Sequence, residues 1–167
     1  MDDQGQWLDE LYRETGPQLL LYFRQRLGDT HGAEDLLQET FAAALRRADQ
    51  VRATASARAY LFGIARNLLA REFRRRHETT PVPTDLCAEE LPPDPKLEWM
   101  REAIGRLKPE FRETLELRLQ HELSYEDLAE ALGIPIGTVR SRLHHAVSQL
   151  RQAARRNQDF VLRKADR

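Results

Sequence analysis

Three stretches of this chain hold residue types that could do chemistry, and in each the chemistry is recognition of charge and of nucleobases. From Val139 to Arg156 the sequence carries Arg140, Arg142, Arg151, Arg155 and Arg156 and no acid, although the whole chain has a formal net charge of −1. A helix with that charge suits phosphates. Thr138, Arg140, Ser141, Arg142, His144 and His145 fall on the side away from an apolar row of Val139, Leu143, Val147 and Leu150. From Tyr60 to Arg76, the residues Arg66, Asn67, Arg71, Arg74, Arg75 and Arg76 surround an apolar stripe that bears aromatics. Arginines neutralise phosphates, and a ring such as Tyr60 stacks on an unpaired base, a contact typically worth about 1–3 kcal/mol. Phe62 and Phe73 are expected in the core instead. The third stretch, AEDLLQETF, puts Asp35, Gln38 and Glu39 on one helix face at spacings of three and four. Carboxylates and an amide projecting together accept charge-assisted hydrogen bonds from guanidinium groups, so a basic helix of a protein partner suits them. The plainer reading is a solvated acidic face.

Bond-making chemistry has less support. Neighbours on a helix point about 100° apart, so His144 and His145 are poorly placed to share a metal, and no carboxylate or cysteine stands in register with them. His121-Glu122 lacks the second histidine of a zinc-protease helix, and no nucleophile, base and orienting group fall together. Cys87 is the one cysteine, which rules out an internal disulfide and a thiolate zinc cluster. It is expected to be an exposed thiol without a role. No metal or other cofactor is expected, and the chain reads as a non-enzyme.

Helices must position all of these groups. Leucine, alanine, arginine and glutamate recur at helical spacing while strand signals are scarce, so the fold class is all-α. Helices are expected from about Trp7 to Thr15 and from Pro17 to Leu27, the second with Leu19, Leu20, Phe23 and Leu27 on its apolar face. A third is expected from about Ala33 to Ala48, burying Leu36, Leu37, Phe41, Ala44 and Leu45. After a loop over about Asp49 to Arg58, a fourth is built on Tyr60, Leu61, Ile64, Leu68, Leu69 and Phe73. Thr79 to Pro95 is rich in proline and acid and too poor in apolar residues for a core, so it reads as an extended linker. Beyond it come a helix from about Pro95 to Leu107 and one opened by Pro109 that carries Phe111, Leu115 and Leu119. Ser124 with Asp127 marks the next helix start, Leu128, Ala129 and Leu132 form its stripe, and Gly133 suits the left-handed residue that ends it. With the basic helix after Ile134 and Pro135, this pair makes a helix-turn-helix pattern. Its plainer reading is a helical hairpin with a basic solvent face. A chain of 167 residues, 32% charged and 41% apolar, suits two small domains and contains no stretch long enough for a membrane span. The acidic N-terminus MDDQGQWLDE lacks a signal-peptide core, and with the single cysteine this points to a cytoplasmic protein.

The order of these motifs resembles the extracytoplasmic-function (ECF, group 4) sigma factors of the sigma-70 family. RLGDTHGAEDLLQETF, AYLFGIARNLLAREFRRR and ELSYEDLAEALGIPIGTVRSRLHHA carry the resemblance, which with LYRETGPQLLLYFRQ and LKPEFRETLELR spans nearly the whole chain. It implies a sigma-2 domain over residues 1–78, a flexible linker over 79–95 and a sigma-4 helix-turn-helix domain over 96–167. It implies a bacterial promoter-specificity factor that binds core RNA polymerase, reads the minus-35 element as duplex and the minus-10 element as single strand, and helps to open promoter DNA. An anti-sigma factor is the implied regulator. By the same resemblance Asp35, Gln38 and Glu39 dock on the clamp-helix coiled coil of the polymerase. The loop over Asp49 to Arg58 pockets a flipped base with Asn67 beside it and Tyr60 and Arg66 in the same minus-10 set, while Arg71, Arg74, Arg75 and Arg76 hold phosphates of the upstream duplex. Thr138, Arg140, Ser141, Arg142, His144 and His145 face the minus-35 major groove, Arg140 foremost. The linker acids Asp85, Glu89, Glu90 and Asp94 run near the polymerase cleft. The family often has arginine or lysine at the position of His145. Arginine bonds two acceptors of guanine at once, whereas a neutral imidazole offers one donor and one acceptor, so the promoter sequence stays open. Two other readings are a free-standing helix-turn-helix regulator, which the acidic face beside a second arginine-rich face argues against, and a helical nuclease, which a metal-dependent cleavage assay would reveal.

Overall fold

Pro17 lies inside a helix and not between two. In the computed structural model, which describes residues 3–79 and 98–165, α1 runs unbroken over Asp3–Leu27. An interior proline costs a helix about 3 kcal/mol. Leu11 and Thr15 before it and Leu19, Tyr22 and Phe23 after it are all buried. Each large apolar side chain so buried is worth about 1.5–3 kcal/mol, which outweighs the local penalty and makes one helix of the two expected.

Helix α2 spans Thr30–Arg46 and begins three residues earlier than the apolar pattern suggests, because Asp29 is its N-cap. The Asp29 carboxylate accepts from the backbone N–H groups of His31 and Gly32, both at 3.1 Å, and so satisfies two donors that the helix cannot. Gly28, at φ 64°, supplies the left-handed turn before it. Leu36, Leu37, Phe41 and Ala44 are buried as expected, but Leu45 is 44% exposed, one position and about 100° round from Ala44. Where a loop is expected, Ala48–Ala53 forms the short helix α3, pinned by the buried Ala48 and Val51. Thr54–Ser56 is all that remains of the loop. Helix α4 covers Ala57–Thr79, and Ser56 Oγ caps it by accepting from the Ala59 N–H at 3.1 Å. Its buried residues are Ala59, Leu61, Phe62, Ala65 and Leu69, whereas Ile64, Leu68 and Phe73 are half-buried. The core line thus runs through Phe62 and Ala65 and not through Ile64 and Leu68. Helices α1, α2 and α4 pack on one another and α3 touches α2 and α4. Tyr22 sits edge-on to both Phe23 and Phe62, at centroid distances of 5.6 and 5.7 Å.

The chain divides into two compact units, the first built on α1 to α4. The second rests on α5 (Glu98–Gly105), α6 (Pro109–Gln120), most of α7 (Tyr125–Leu132) and α8 (Ile136–Ala165). Helices α5 and α6 pack on α8. Leu115 and Leu117 enter the core from α6, while Leu119 is 68% exposed. The α7 start is a reciprocal cap: Ser124 Oγ accepts from the Asp127 N–H at 2.9 Å, and the Ser124 N–H donates to Asp127 Oδ2 at 3.2 Å. Its end is a Schellman turn. Gly133 takes φ 64°, its N–H donates to the Glu130 carbonyl and the Ile134 N–H to the Ala129 carbonyl, at 3.2 and 3.0 Å. Val139, Leu143 and Ala146 form the buried side of α8. Val147 and Leu150, expected on that side, are half-buried. Helix α8 continues past Arg156 to Ala165. The proline-rich linker, apart from Thr79, lies outside the described residues, and with it Cys87, Asp85, Glu89, Glu90 and Asp94. No described helix is long and apolar enough to cross a membrane.

Candidate nucleic-acid interface

Because Phe62, Ala65 and Leu69 turn one side of α4 inward, the positions Tyr60, Asn67, Arg71 and Arg74, spaced by seven, four and three, line another side. Asn67, Arg71 and Arg74 are exposed and Tyr60 half-buried. Tyr60 is steadied by its hydroxyl, which donates to Gln50 Oε1 of α3 at 3.3 Å. Arg66 is half-buried. Arg71 reaches across to α2 and its Nη2 donates to Glu39 Oε1 at 2.7 Å. The three arginines at the end of the helix have different surroundings. Arg74 is exposed. Arg75 grips both oxygens of Glu72, each at 2.9 Å. Arg76 donates to Glu72 at 2.9 Å and lies 3.7 Å from the Asp29 carboxylate that caps α2. Hydrogen bonds from Arg75 and then Arg76 pull the Glu72 carboxyl down from 4.5 to about 2, since both favour its charged form. Arg76 therefore serves as a tie between the start of α2 and the end of α4, a contact that residue type alone did not suggest.

Beside this stripe lies a groove of about 230 Å³ lined by Ala43, Arg46, Arg47, Ile64, Asn67 and Leu68. Arg46 and Arg47 are exposed and bring two cations to the side chain of Asn67. No motif in the sequence singles them out, since basic residues are common at a helix C-terminus, where they complement the helix dipole. On α2 itself Asp35 and Gln38 are exposed, but Glu39 is the partner of Arg71. The three do not stand as one equally available row.

In the second unit, the first turns of α8 present Arg140, Ser141 and His144 to solvent, with Thr138 and Arg142 half-buried. His145 is exposed, yet its ring stacks on Phe111 of α6, centroids 5.6 Å apart and planes within 12°. The adjacent imidazoles lie 73° apart in plane. They therefore divide, His145 held against α6 and His144 outward beside Arg140 and Ser141. Such an exposed polar helix end, behind a tightly capped turn, has the dimensions to enter a major groove. Among the described residues no group of three or more histidine, cysteine or acidic side chains is placed to hold a metal.

The model of the Sigma-70 region 2 family matches residues 11–79, and that of Sigma-70 region 4 matches residues 97–150. Over 146 residues the chain is 32% identical to the RNA polymerase sigma factor HrpL of Pseudomonas syringae pv. syringae, covering 80% of this chain and 79% of that protein. It is also 32% identical over 140 residues to the ECF RNA polymerase sigma factor EcfG of Rhodopseudomonas palustris, at 80% and 77% coverage. The chain belongs to the ECF sigma factors of the sigma-70 family. This sigma factor acts in promoter recognition and transcription initiation by RNA polymerase, and its two units hold regions 2 and 4. A further relative, the ECF sigma factor SigL of Mycobacterium tuberculosis, is 32% identical over 150 residues, covering 84% of this sigma factor and 85% of that one. Among solved structures, the sigma factor RpoE in complex with the anti-sigma factor NepR from Bartonella quintana superposes with a TM-score of 0.66 at 24% identity, covering 88% of this chain and 96% of that one. CnrH in complex with the cytosolic domain of CnrY gives 0.61 at 23%, covering 87% and 85%. Both share the helical fold.

Proposed function

We propose that this sigma factor divides its work among three surfaces. Asp35 and Gln38, with Glu39 once it exchanges Arg71 for an outside guanidinium, dock the first unit on core RNA polymerase. The α4 stripe of Tyr60, Asn67, Arg71 and Arg74, with Arg66, Arg75 and Arg76 behind it, takes the minus-10 strand as the duplex opens, and Arg46 and Arg47 flank the base that Asn67 reads. Arg140, Ser141 and His144 read the minus-35 duplex, with Thr138 and Arg142 on the phosphates beside them and His145 holding the helix. The observation that carries this reading is the two-sidedness of α4: the face opposite the buried Phe62, Ala65 and Leu69 offers one amide, one phenol and several guanidiniums. Amides and rings read unpaired bases while guanidiniums hold the backbone. RNA synthesis itself is the polymerase's chemistry, and the sigma factor is a non-enzyme of the cytoplasm. The residues ahead of α5, over about 79–95, join the two domains. One structural neighbour was solved with the anti-sigma factor NepR and the other with the cytosolic domain of CnrY, and an anti-sigma factor is the proposed regulator here.

The test is core binding without DNA, followed by transcription from mapped promoters. Asp35→Arg with Glu39→Arg is expected to abolish association with core polymerase while leaving the helical content unchanged. Unaltered association in the double variant refutes the docking assignment, and failure of the native chain to bind core refutes the reading as a whole.

A further inference from the structure

The solvent side of α8 is a stripe of permanent cations interrupted by one group that can gain or lose its charge, His144. A groove of about 240 Å³ runs along this side, lined by His144, Val147, Ser148, Arg151, Gln152 and Arg155. All six belong to α8. His144, Arg151, Gln152 and Arg155 are exposed, while Val147 and Ser148 are half-buried and form the floor. Arg140 stands one turn before His144 and Arg151 two turns after it, about 6 and 10.5 Å away along the axis.

No carboxylate of the described residues comes between them. Helix α8 has no acid from Ile136 to Arg156. Of the helices packed on it, α5 holds its carboxylates Glu98 and Glu102 against Arg101 and Arg106 of the same helix, at 3.6 and 3.2 Å. Glu110, Glu113 and Glu116 of α6 are not among the residues that line the groove. The charged group that α6 brings to the histidines is a cation, since Lys108 Nζ lies 5.7 Å from the Phe111 ring on which His145 stacks. Among the described residues His144 makes no hydrogen bond or ion pair, and its one ring contact is with His145, centroids 5.9 Å apart. In the free chain, then, neither an anion nor an acceptor stands ready for an imidazolium.

The major groove supplies both. Duplex DNA carries one negative charge per about 1.7 Å of axis, and guanine presents two acceptors, N7 and O6, at its groove edge. A neutral imidazole meets acceptors with one N–H and one lone pair, whereas an imidazolium brings two N–H donors and a charge. We propose that His144 reads the minus-35 duplex as an imidazolium, so that region 4 takes up a proton on binding and its hold on the promoter tightens as pH falls. The inference rests on the assignment of the first turns of α8 to the minus-35 groove. Because the complex holds the additional proton, the gain is present at low pH and is lost as pH rises through the range in which histidines titrate. Linkage makes the two effects equal: the factor by which DNA favours the charged form is the factor by which protonation favours DNA. An arginine at this position would make the contact unconditional. His145 takes no part, because its ring is committed to Phe111.

Holoenzyme reconstituted from core polymerase and the full chain is titrated with promoter fragments bearing native or scrambled minus-35 elements, from about pH 8 to about pH 6 at constant ionic strength. Holoenzymes carrying His144→Gln, His144→Arg and His145→Phe are titrated beside it. Dividing the native affinity by that of His144→Gln removes the pH dependence of the polymerase itself. The quotient is expected to rise by about fivefold or more over the series, the lower end of couplings between two bound ligands. The native protein then behaves as His144→Gln at the alkaline end and approaches His144→Arg at the acid end. His145→Phe keeps a ring on Phe111 and keeps the rise. A rise confined to the native element supports contact with a base edge, and a rise on both fragments supports contact with a phosphate. A flat quotient, or a rise that disappears in His145→Phe, overturns the proposal. Failure of the native holoenzyme to distinguish the two fragments at any pH instead overturns the assignment of α8 beneath it.

Discussion

Glu72→Gln separates what the arginines of α4 do for the fold from what they do for DNA. Glutamine keeps the shape and removes only the charge, so Arg75 and Arg76 lose the Glu72 carboxylate while Arg76 keeps Asp29 beside it. The native carboxyl sits at about 2 against an ordinary 4.5, which would correspond to about 3 kcal/mol if nothing screened it. Arg75 is 74% exposed, and exposed pairs deliver about 0–1 kcal/mol. About 1 kcal/mol is therefore the expected loss, and in a domain of this size that lowers Tm by about 4–8 °C. DNA binding should move the other way. A phosphate that takes Arg75 must displace Glu72, so removing the carboxylate favours the complex by up to about 1 kcal/mol, or about fivefold in affinity. The slope of log affinity against log salt steepens by up to about 0.9, one phosphate's worth. Thermal unfolding of the free chain gives the first quantity and anisotropy of holoenzyme on a forked promoter, over a salt series, gives the second. An unchanged Tm refutes a stabilising role for Glu72 at the end of α4, and weaker DNA binding refutes competition between Glu72 and phosphate.

Arg140→Ala should lose about 1–3 kcal/mol of discrimination between native and altered minus-35 duplexes, whereas His145→Ala should leave discrimination intact and cost about 0.5–1.5 kcal/mol of stability through the lost Phe111 stack; competition binding and thermal melts of both variants distinguish the two roles. Gly133→Ala should destabilise the turn between α7 and α8 by about 1–2 kcal/mol, and the loss is backbone strain alone, since an added Cβ meets nothing within 4 Å; an unchanged melt contradicts the left-handed turn. The Glu72 contribution is present above its unfolded value near 4.5 and is lost as pH falls through about 2, because the depressed carboxyl must be protonated to release its partners; carboxyl NMR titration should find that midpoint, and Arg75→Ala should raise it.

Local signals were the legible part of this molecule. The Ser124–Asp127 cap and the left-handed Gly133 could be read from residue type because their hydrogen bonds close within six residues. Asp29 carries the same kind of signal, but the apolar pattern of α2 begins only at Ala33 and does not point to it. Pro17 misled because its penalty is local while its compensation, the burial of Leu19, Tyr22 and Phe23, is tertiary. Periodicity alone placed Leu45, Val147 and Leu150 too far inward, because the width of a buried face depends on the neighbour that covers it. For the candidate site, residue type pointed to side chains that stand at least partly exposed on α2, α4 and α8, but not to the sharing of charges among them. Glu39–Arg71 and Asp29–Arg76 are separated by more than thirty residues in sequence, and His145–Phe111 likewise. No spacing rule within one helix contains those pairs.

These internal pairs also bear on how the surfaces can work. Glu39 and Arg71 belong to opposite assignments, one to a protein partner and one to DNA, yet in the free chain each satisfies the other. Their side chains are 37% and 67% exposed, so water already competes for the pair and breaking it costs at most about 1 kcal/mol. A buried equivalent would cost about 3–5 kcal/mol to break from one side, which few contacts on a single arginine could offset. Exposure therefore lets either proposed partner displace the pair, and the pair still holds two long side chains near the positions that the proposed roles require. The same logic assigns Arg76 differently: at 30% exposure, with Glu72 and Asp29 both beside it, it is the member of the arginine cluster with the most to lose on turning to a phosphate. Among Arg74, Arg75 and Arg76 the order of availability to DNA is therefore the order in which they stand in the chain.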